Sequence, residues 1–186
     1  MCIRDSYLTW SKSNQSKYKR LLSNSKYLVI KQDDFFKRIV GNFRIKDFVC
    51  KDSIFKKCLY DSNKEFYWLI DKKLLFAVLK LQKSLEKLGH DPDAFWIRYG
   101  HRHPRKNEDV EGAHFSRHIH GQAIDMVIND IDKDGKYTTK DKEIVLEITE
   151  EEVIGDLGGI GRYPETRTIH IDVRGKKTRW DSYNKK

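Results

Sequence analysis

Lys72-Lys73-Leu74-Leu75-Phe76-Ala77-Val78-Leu79-Lys80-Leu81-Gln82-Lys83-Ser84-Leu85-Glu86-Lys87-Leu88-Gly89 is the stretch on which the fold turns. Leu74, Leu75, Val78, Leu81, Leu85 and Leu88 recur at steps of three and four, and Gly89 follows as a stop. That spacing lines one face of a helix with apolar side chains. Such a stripe needs a partner surface, and the chain beyond it supplies strands. Phe95-Trp96-Ile97-Arg98-Tyr99, Ala123 to Ile128 and Thr168 to Val173 have the length and patterning of half-buried or buried strands. Ile144 to Ile148 reads as a further extended piece, with a helical turn as the alternative. Thr149-Glu150-Glu151-Glu152 reads as the opening of a short helix, with Thr149 as cap and Glu152 at the capping-box position. Gly158-Gly159-Ile160-Gly161 reads as a break in the chain. Upstream, Asn42 to Cys50 alternates apolar and polar residues, which fits a short half-buried strand. Helix first and then strands with irregular links predicts an α+β domain rather than a βαβ series. No internal repeat is visible.

Length and composition suit one domain with a closed core. The chain has 186 residues, of which 38% are apolar and 12% aromatic. With 35% charged residues and a mean hydropathy of -0.74 the surface is very polar, yet the apolar runs argue against disorder. No run approaches the length of a membrane span. The net charge of +9 and pI of about 9.3 favour anionic partners. The lysines are scattered from Lys12 to Lys186, the mark of a solvated surface rather than a nucleic-acid footprint. A nucleic-acid-binding domain rests on charge alone. Cys2, Cys50 and Cys58 show no Cys-x-x-Cys spacing, which speaks against a cysteine zinc site or redox pair; Cys50 and Cys58 are left as a disulfide or as buried thiols. Residues 1–6, Met-Cys-Ile-Arg-Asp-Ser, read as the translation of a transposon adapter used in library preparation, so that a true N-terminus and any leader would be missing. A polar lead-in is expected over 7–41, the domain over 42–182 and a basic tail over 183–186.

The chemistry is concentrated in Ser116-Arg117-His118-Ile119-His120-Gly121-Gln122-Ala123-Ile124-Asp125 and in His170-Ile171-Asp172. The first carries an imidazole and a carboxylate seven residues apart, separated by a glycine and leading into a strand. The second lies in the strand after the Gly-rich turn. Zinc takes neutral imidazole and carboxylate ligands, and a catalytic zinc keeps one position open. His118, Asp125 and His170 would supply such a three-ligand site. His101, His103, His114 and His120 are nearby imidazoles, read as loop residues rather than ligands.

The first segment resembles the S-x-H-x-x-G-x-A-x-D signature of the D-alanyl-D-alanine carboxypeptidase and hedgehog-type zinc peptidases, with Ser116, His118, Gly121, Ala123 and Asp125 on it. Gly159-Ile160-Gly161-Arg162-Tyr163-Pro164 followed by His170-Ile171-Asp172 is similar to the second half of that family's pattern. Gly100-His101-Arg102-His103-Pro104-Arg105-Lys106-Asn107 resembles its G-Y-R-x-P-x-x-N loop, with His101 where Tyr is usual. The resemblance runs from about Asn42 to Trp180. It implies a small antiparallel sheet packed with helices and one zinc on His118, Asp125 and His170. It also implies that Arg102 holds a substrate carbonyl or carboxylate; the alternative is a surface salt bridge.

From the resemblance follows hydrolysis of peptidoglycan peptides by a monomeric zinc metallopeptidase, outside the cytoplasm or associated with a phage. It would act as a D,D- or L,D-carboxypeptidase or an endopeptidase. The departure lies three residues before His170, where relatives with a clear base carry Glu or Asp and this chain has Arg167, which cannot act as a base. Asp172 and Glu165 remain as candidates, Asp172 either as base or as a carboxylate fixing a ligand imidazole. The missing base keeps open a zinc-bearing wall-binding module without catalysis. Separately, Asp130-Ile131-Asp132-Lys133-Asp134-Gly135 resembles the start of a calcium loop, with Asp141 at position twelve in place of the usual Glu; a polar turn is the alternative.

Overall fold

A computed structural model of the chain describes residues 26–49, 60–61 and 65–183. The expectations for residues 1–6, for the three cysteines and for the final basic residues fall outside them. Strand β1 (Leu28–Ile30) pairs antiparallel with β4 (Phe66–Trp68), and β2 (Arg38–Val40) pairs with β3 (Phe43–Arg44). Ile30, Phe35 and Val40 sit in the main core, so the packed unit begins ahead of residue 42. Within the stretch expected to be extended from Asn42, only β3 is strand; Ile45–Phe48 tightens into a 3-10 turn that buries Phe48 completely.

Helix α1 (Lys72–Lys87) is the expected one. The Asp71 carboxylate caps it by accepting from the Lys73 N–H at 3.0 Å, and the chain leaves it through Gly89 at φ +83°. Leu74, Val78, Leu81 and Leu85 have no exposed surface, whereas Leu88, just past the last turn, is 53% exposed. Each fully buried leucine contributes roughly 1.5–3 kcal/mol.

The helix packs under a five-stranded sheet made of β5 (Phe95–Tyr99), β6 (Ala123–Ile128), β7 (Gly159–Arg162), β8 (Thr168–Asp172) and β9 (Thr178–Asp181), in the order β5-β6-β8-β7-β9. All neighbours are antiparallel except β7 and β9, which run parallel. Ile124, Met126, Ile128, Ile169 and Ile171 point into the core. By period-2 alternation Asp125, Thr168, His170 and Asp172 face the other side. The fold is α+β.

Three local expectations are corrected. Beyond the short helix α2 (Pro104–Asp109), Ile144–Ile148 is not extended but is the end of helix α3 (Thr139–Ile148), which buries Val145 and Ile148 three residues apart. A short apolar run cannot by itself distinguish a strand from the buried stripe of a helix. Thr149 caps nothing: the helix runs on through a π turn over Thr149–Val153, and Thr149 is wholly buried. The Gly-rich stretch is strand β7, not a break. A Cβ on Gly161 would lie 2.5 Å from the Trp180 ring, so glycine there serves a close approach between strands.

Candidate metal centre

One row of the sheet carries the site. Tyr99 lies opposite Asp125, Asp125 opposite His170, His170 opposite Gly161, and Gly161 opposite Trp180. The pairing of β6 with β8 therefore sets Asp125 and His170 side by side. His118 comes from a single 3-10 turn (Arg117–His120) that ends at Gly121 in the left-handed region, φ +64°. That turn presses against Leu69, whose carbonyl oxygen would be 2.3 Å from any Cβ at position 121. The glycine of the motif is thus what lets His118 reach the strand row.

Three donor atoms converge. His118 Nε2 lies 3.2 Å from His170 Nδ1 and 3.3 Å from Asp125 Oδ1, and His170 Nδ1 lies 2.8 Å from that oxygen. Donors about 2.0–2.1 Å from one tetrahedral ion stand about 3.3–3.4 Å apart, so two of the three edges match and the third is a hydrogen-bond length. The far side of each imidazole is also fixed. His118 Nδ1 donates to the Gly100 carbonyl at 2.9 Å, and His170 Nε2 to Asp172 Oδ2 at 3.2 Å. With the outer nitrogens as donors, the inward nitrogens of the neutral rings are the ones left to a metal, the arrangement it requires. All three side chains are buried. Burial is the largest influence on His118 and lowers its pKa. Burial also opposes charge on His170, but the carboxylates of Asp125 and Asp172 outweigh it and raise its pKa. Asp125, despite burial, is held below the usual carboxylate range by the two imidazoles.

The donors open onto a cavity of about 890 Å³. Arg102 lines it, 9% exposed, with Nη2 3.6 Å from Asp125 Oδ2 and Nη1 donating to Asn107 Oδ1 at 3.3 Å. It is a buried cation beside the donor cluster, not a surface salt bridge.

A family model for Peptidase M15 matches residues 41–172, more than half of the chain. The chain belongs to the Peptidase M15 family, a zinc D-Ala-D-Ala carboxypeptidase-type family. No curated protein and no solved structure matches it. Membership in M15 suggests a peptidase acting on peptidoglycan-like substrates, and relatives are typically zinc-dependent.

The other expected residues of this M15 chain fall less simply. Asp172 has no exposed surface and no place in the cavity lining. Its oxygens accept from His170, from the Gly159 N–H at 3.2 Å and from the Arg174 guanidinium, contacts that overcome burial and hold its pKa low. Its carboxylate thus faces His170 and Arg174 rather than the cavity, the placement of a supporting carboxylate. Glu165 is exposed in the β7–β8 turn and is not among the residues lining the cavity. Arg167 also lies outside it, its guanidinium 4.2 Å from the centre of the Tyr137 ring. His101 and His103 are buried instead of exposed, and burial holds the His101 pKa down to about 3; none of the four extra imidazoles joins the donor group.

The calcium expectation finds no support. One oxygen each of Asp130, Asp132 and Asp134 does lie within 4.8 Å of the others. Asp130 is taken, however, by the N–H groups of Asp134 and Gly135, both at 2.9 Å, and Asp132 pairs with Lys140 at 2.8 Å. Asp141, placed at the twelfth position, caps α3 instead, accepting from the N–H groups of Ile131 at 2.7 Å and Thr138 at 2.6 Å. A cap carboxylate with both oxygens on backbone donors has little left for a cation.

Sequence reasoning gave no role to Tyr163, Trp180 or Arg174. Tyr163 lines the cavity, and burial together with the charge of Asp125 pushes its pKa up to about 12. The Trp180 ring lies 5.0 Å from that of His170, and Arg174 sits over Trp180 at 5.4 Å. Alternation from His170 and Asp172 points to Arg174; nothing in the sequence announces a parallel β9 that returns Trp180 to the site.

Proposed function

We propose that this chain is a zinc metallopeptidase that hydrolyses peptide bonds of peptidoglycan, as a D,D- or L,D-carboxypeptidase or an endopeptidase. The observation that carries the reading is the convergence of His118 Nε2, His170 Nδ1 and Asp125 Oδ1 at the edge of an open cavity in an M15 chain. Zinc bound there would polarise the scissile carbonyl and make water a nucleophile near neutral pH.

The chain's own residues supply the rest. Gly100 and Asp172 hold the two imidazoles in the tautomers that present lone pairs inward. Arg102 offers positive charge in the cavity to a substrate carbonyl or carboxylate. Tyr163 stays protonated at any working pH and stands ready to donate a hydrogen bond to developing negative charge. The aromatic residues Tyr99 and Trp180, at the two ends of the strand row, line the cavity on either side of the donor group. The cell envelope or a phage particle is the setting in which such an activity would meet its substrate.

Zinc content by plasma emission and mass spectrometry of a sacculus digest test the proposal together. One zinc per chain and chelator-sensitive release of D-alanine or of stem-peptide fragments are expected. His118→Ala and Asp125→Ala should abolish both; hydrolysis retained in either rejects the assignment. The Arg167 substitution favours a second reading, a wall-binding module without catalysis. Zinc binding with no turnover of any wall peptide would decide for it.

A further inference from the structure

Hydrolysis through the proposed centre needs a group that takes a proton from water and returns it to the leaving amine, and the expected positions do not provide one. Arg167 is a cation, Asp172 is buried beneath the site, and Glu165 lies outside the cavity. Among the described residues that line the cavity, the only carboxylates are Asp125 and Glu111. Asp125 is committed to two imidazoles and to Arg102. Glu111 is exposed, and among the described residues its carboxylate has no hydrogen-bond or ion-pair partner.

The backbone around Glu111 is held in an unusual way. Glu111 adopts φ +51°, in the left-handed region, a conformation that costs a non-glycine residue free energy and tends to persist at functional sites. Its own N–H bonds to the Glu108 carbonyl at 2.8 Å and the next N–H to the Asn107 carbonyl at 2.7 Å. The Asn107 side chain, 1% exposed, completes the clamp. Its Nδ2 donates to the carbonyls of Gly112 at 3.2 Å and Ala113 at 3.0 Å, while its Oδ1 accepts from Arg102. One buried amide therefore ties the turn that carries Glu111 to the arginine that touches Asp125. The turn is fixed relative to the donor cluster, as a group acting on substrate must be.

Building on the peptidase reading, we propose that Glu111 is the catalytic general base of this chain. The carboxylate takes one proton from water as the water oxygen bonds to the carbonyl carbon. The C–N bond then breaks, and the same proton passes from Glu111 to the departing nitrogen. A carboxylic acid and an amine leave, and Glu111 is again ionised. The signature loop and the turn that follows it thus divide two tasks, Asn107 positioning and Glu111 proton transfer, at the wall of the cavity.

The test uses zinc-loaded full chain and the muropeptide that the wild type cleaves fastest in a sacculus digest. Glu111→Gln should lower kcat about 100-fold or more with little change in KM, flatten the acid limb of the pH profile and leave one zinc per chain. Glu111→Gly controls for folding: glycine accepts φ +51° without strain, so this variant should be at least as stable as wild type yet equally slow. A readout apart from turnover comes from calorimetry with a phosphinic isostere of Ala-Ala in buffers of different ionisation enthalpy. Wild type should take up a proton on binding, and Glu111→Gln should take up none. Glu111→Gln with more than a tenth of wild-type kcat, or the same loss appearing instead in His114→Gln, would overturn the proposal while leaving the peptidase reading intact. A wild type that binds zinc but neither cleaves muropeptides nor binds the isostere would overturn both.

Discussion

Asp172 shows how one side chain can hold a member of a candidate donor group without joining it. Its Oδ2 accepts from His170 Nε2, and Arg174 and the Gly159 N–H hold the carboxylate in place. Asp172→Asn keeps the shape but weakens that hold, so metal affinity should fall about 10–100-fold in a chelator competition titration, with turnover largely restored at saturating zinc. Unchanged affinity would mean that the imidazole is oriented by strand register alone. At this scale much was legible beforehand. Donor type and spacing made His118, Asp125 and His170 candidates, the family resemblance singled them out, and the fold brings their donor atoms together. The role of Asp172 stayed open between base and support, since alternation gives the face of a strand but not which atoms lie above or beneath a ring. Glu111 carries no spacing signal at all; only the cavity singles it out.

At the level of elements, α3 depends on its first turn. Asp141 accepts from the backbone of Ile131, Asp132 and Thr138, so it closes the helix start and the preceding loop in one place. Burial works to raise its pKa, but those N–H donors prevail and lower it. A carboxylate with a depressed folded-state pKa contributes stability above its ordinary value near 3.8, and that contribution is lost as pH falls through the depressed value. Asp141→Asn should therefore cost about 1–2 kcal/mol in urea unfolding at pH 7, and the gap from wild type should narrow below about pH 4. A gap independent of pH would show that the charge on Asp141 has no part in the cap. The same element marks the limit of sequence reading. Thr138 and Asp141 form a capping pair, but the aspartates before them look equally like a metal loop, and Ile144 to Ile148 is too short a run to declare its period. Helix α1, with four buried leucine and valine positions in register, left no such ambiguity.

For the whole molecule, ligands from a 3-10 turn and two strands mean that a bound ion joins parts of the chain that are 52 residues apart, from His118 to His170. An ion that binds only the folded chain stabilises it by about 4 kcal/mol at a thousand times its Kd, or roughly 10 °C in Tm for a domain of this size. Scanning calorimetry with zinc and with a chelator should show that difference. Equal midpoints would remove the metal from the folded-state account. Overall architecture was readable as helix plus strands. The parallel edge strand β9 was not, because it joins the sheet through contacts that no local pattern records.

The strand row has one more implication. Because side chains alternate across a sheet, sliding β8 by a single residue against β6 would turn His170 to the core face and push an isoleucine into the cavity. A chain paired out of step keeps nearly the same number of backbone bonds, yet it would have no grip on an ion. A bound metal would thus proofread strand alignment, rewarding one threading among several of similar backbone energy.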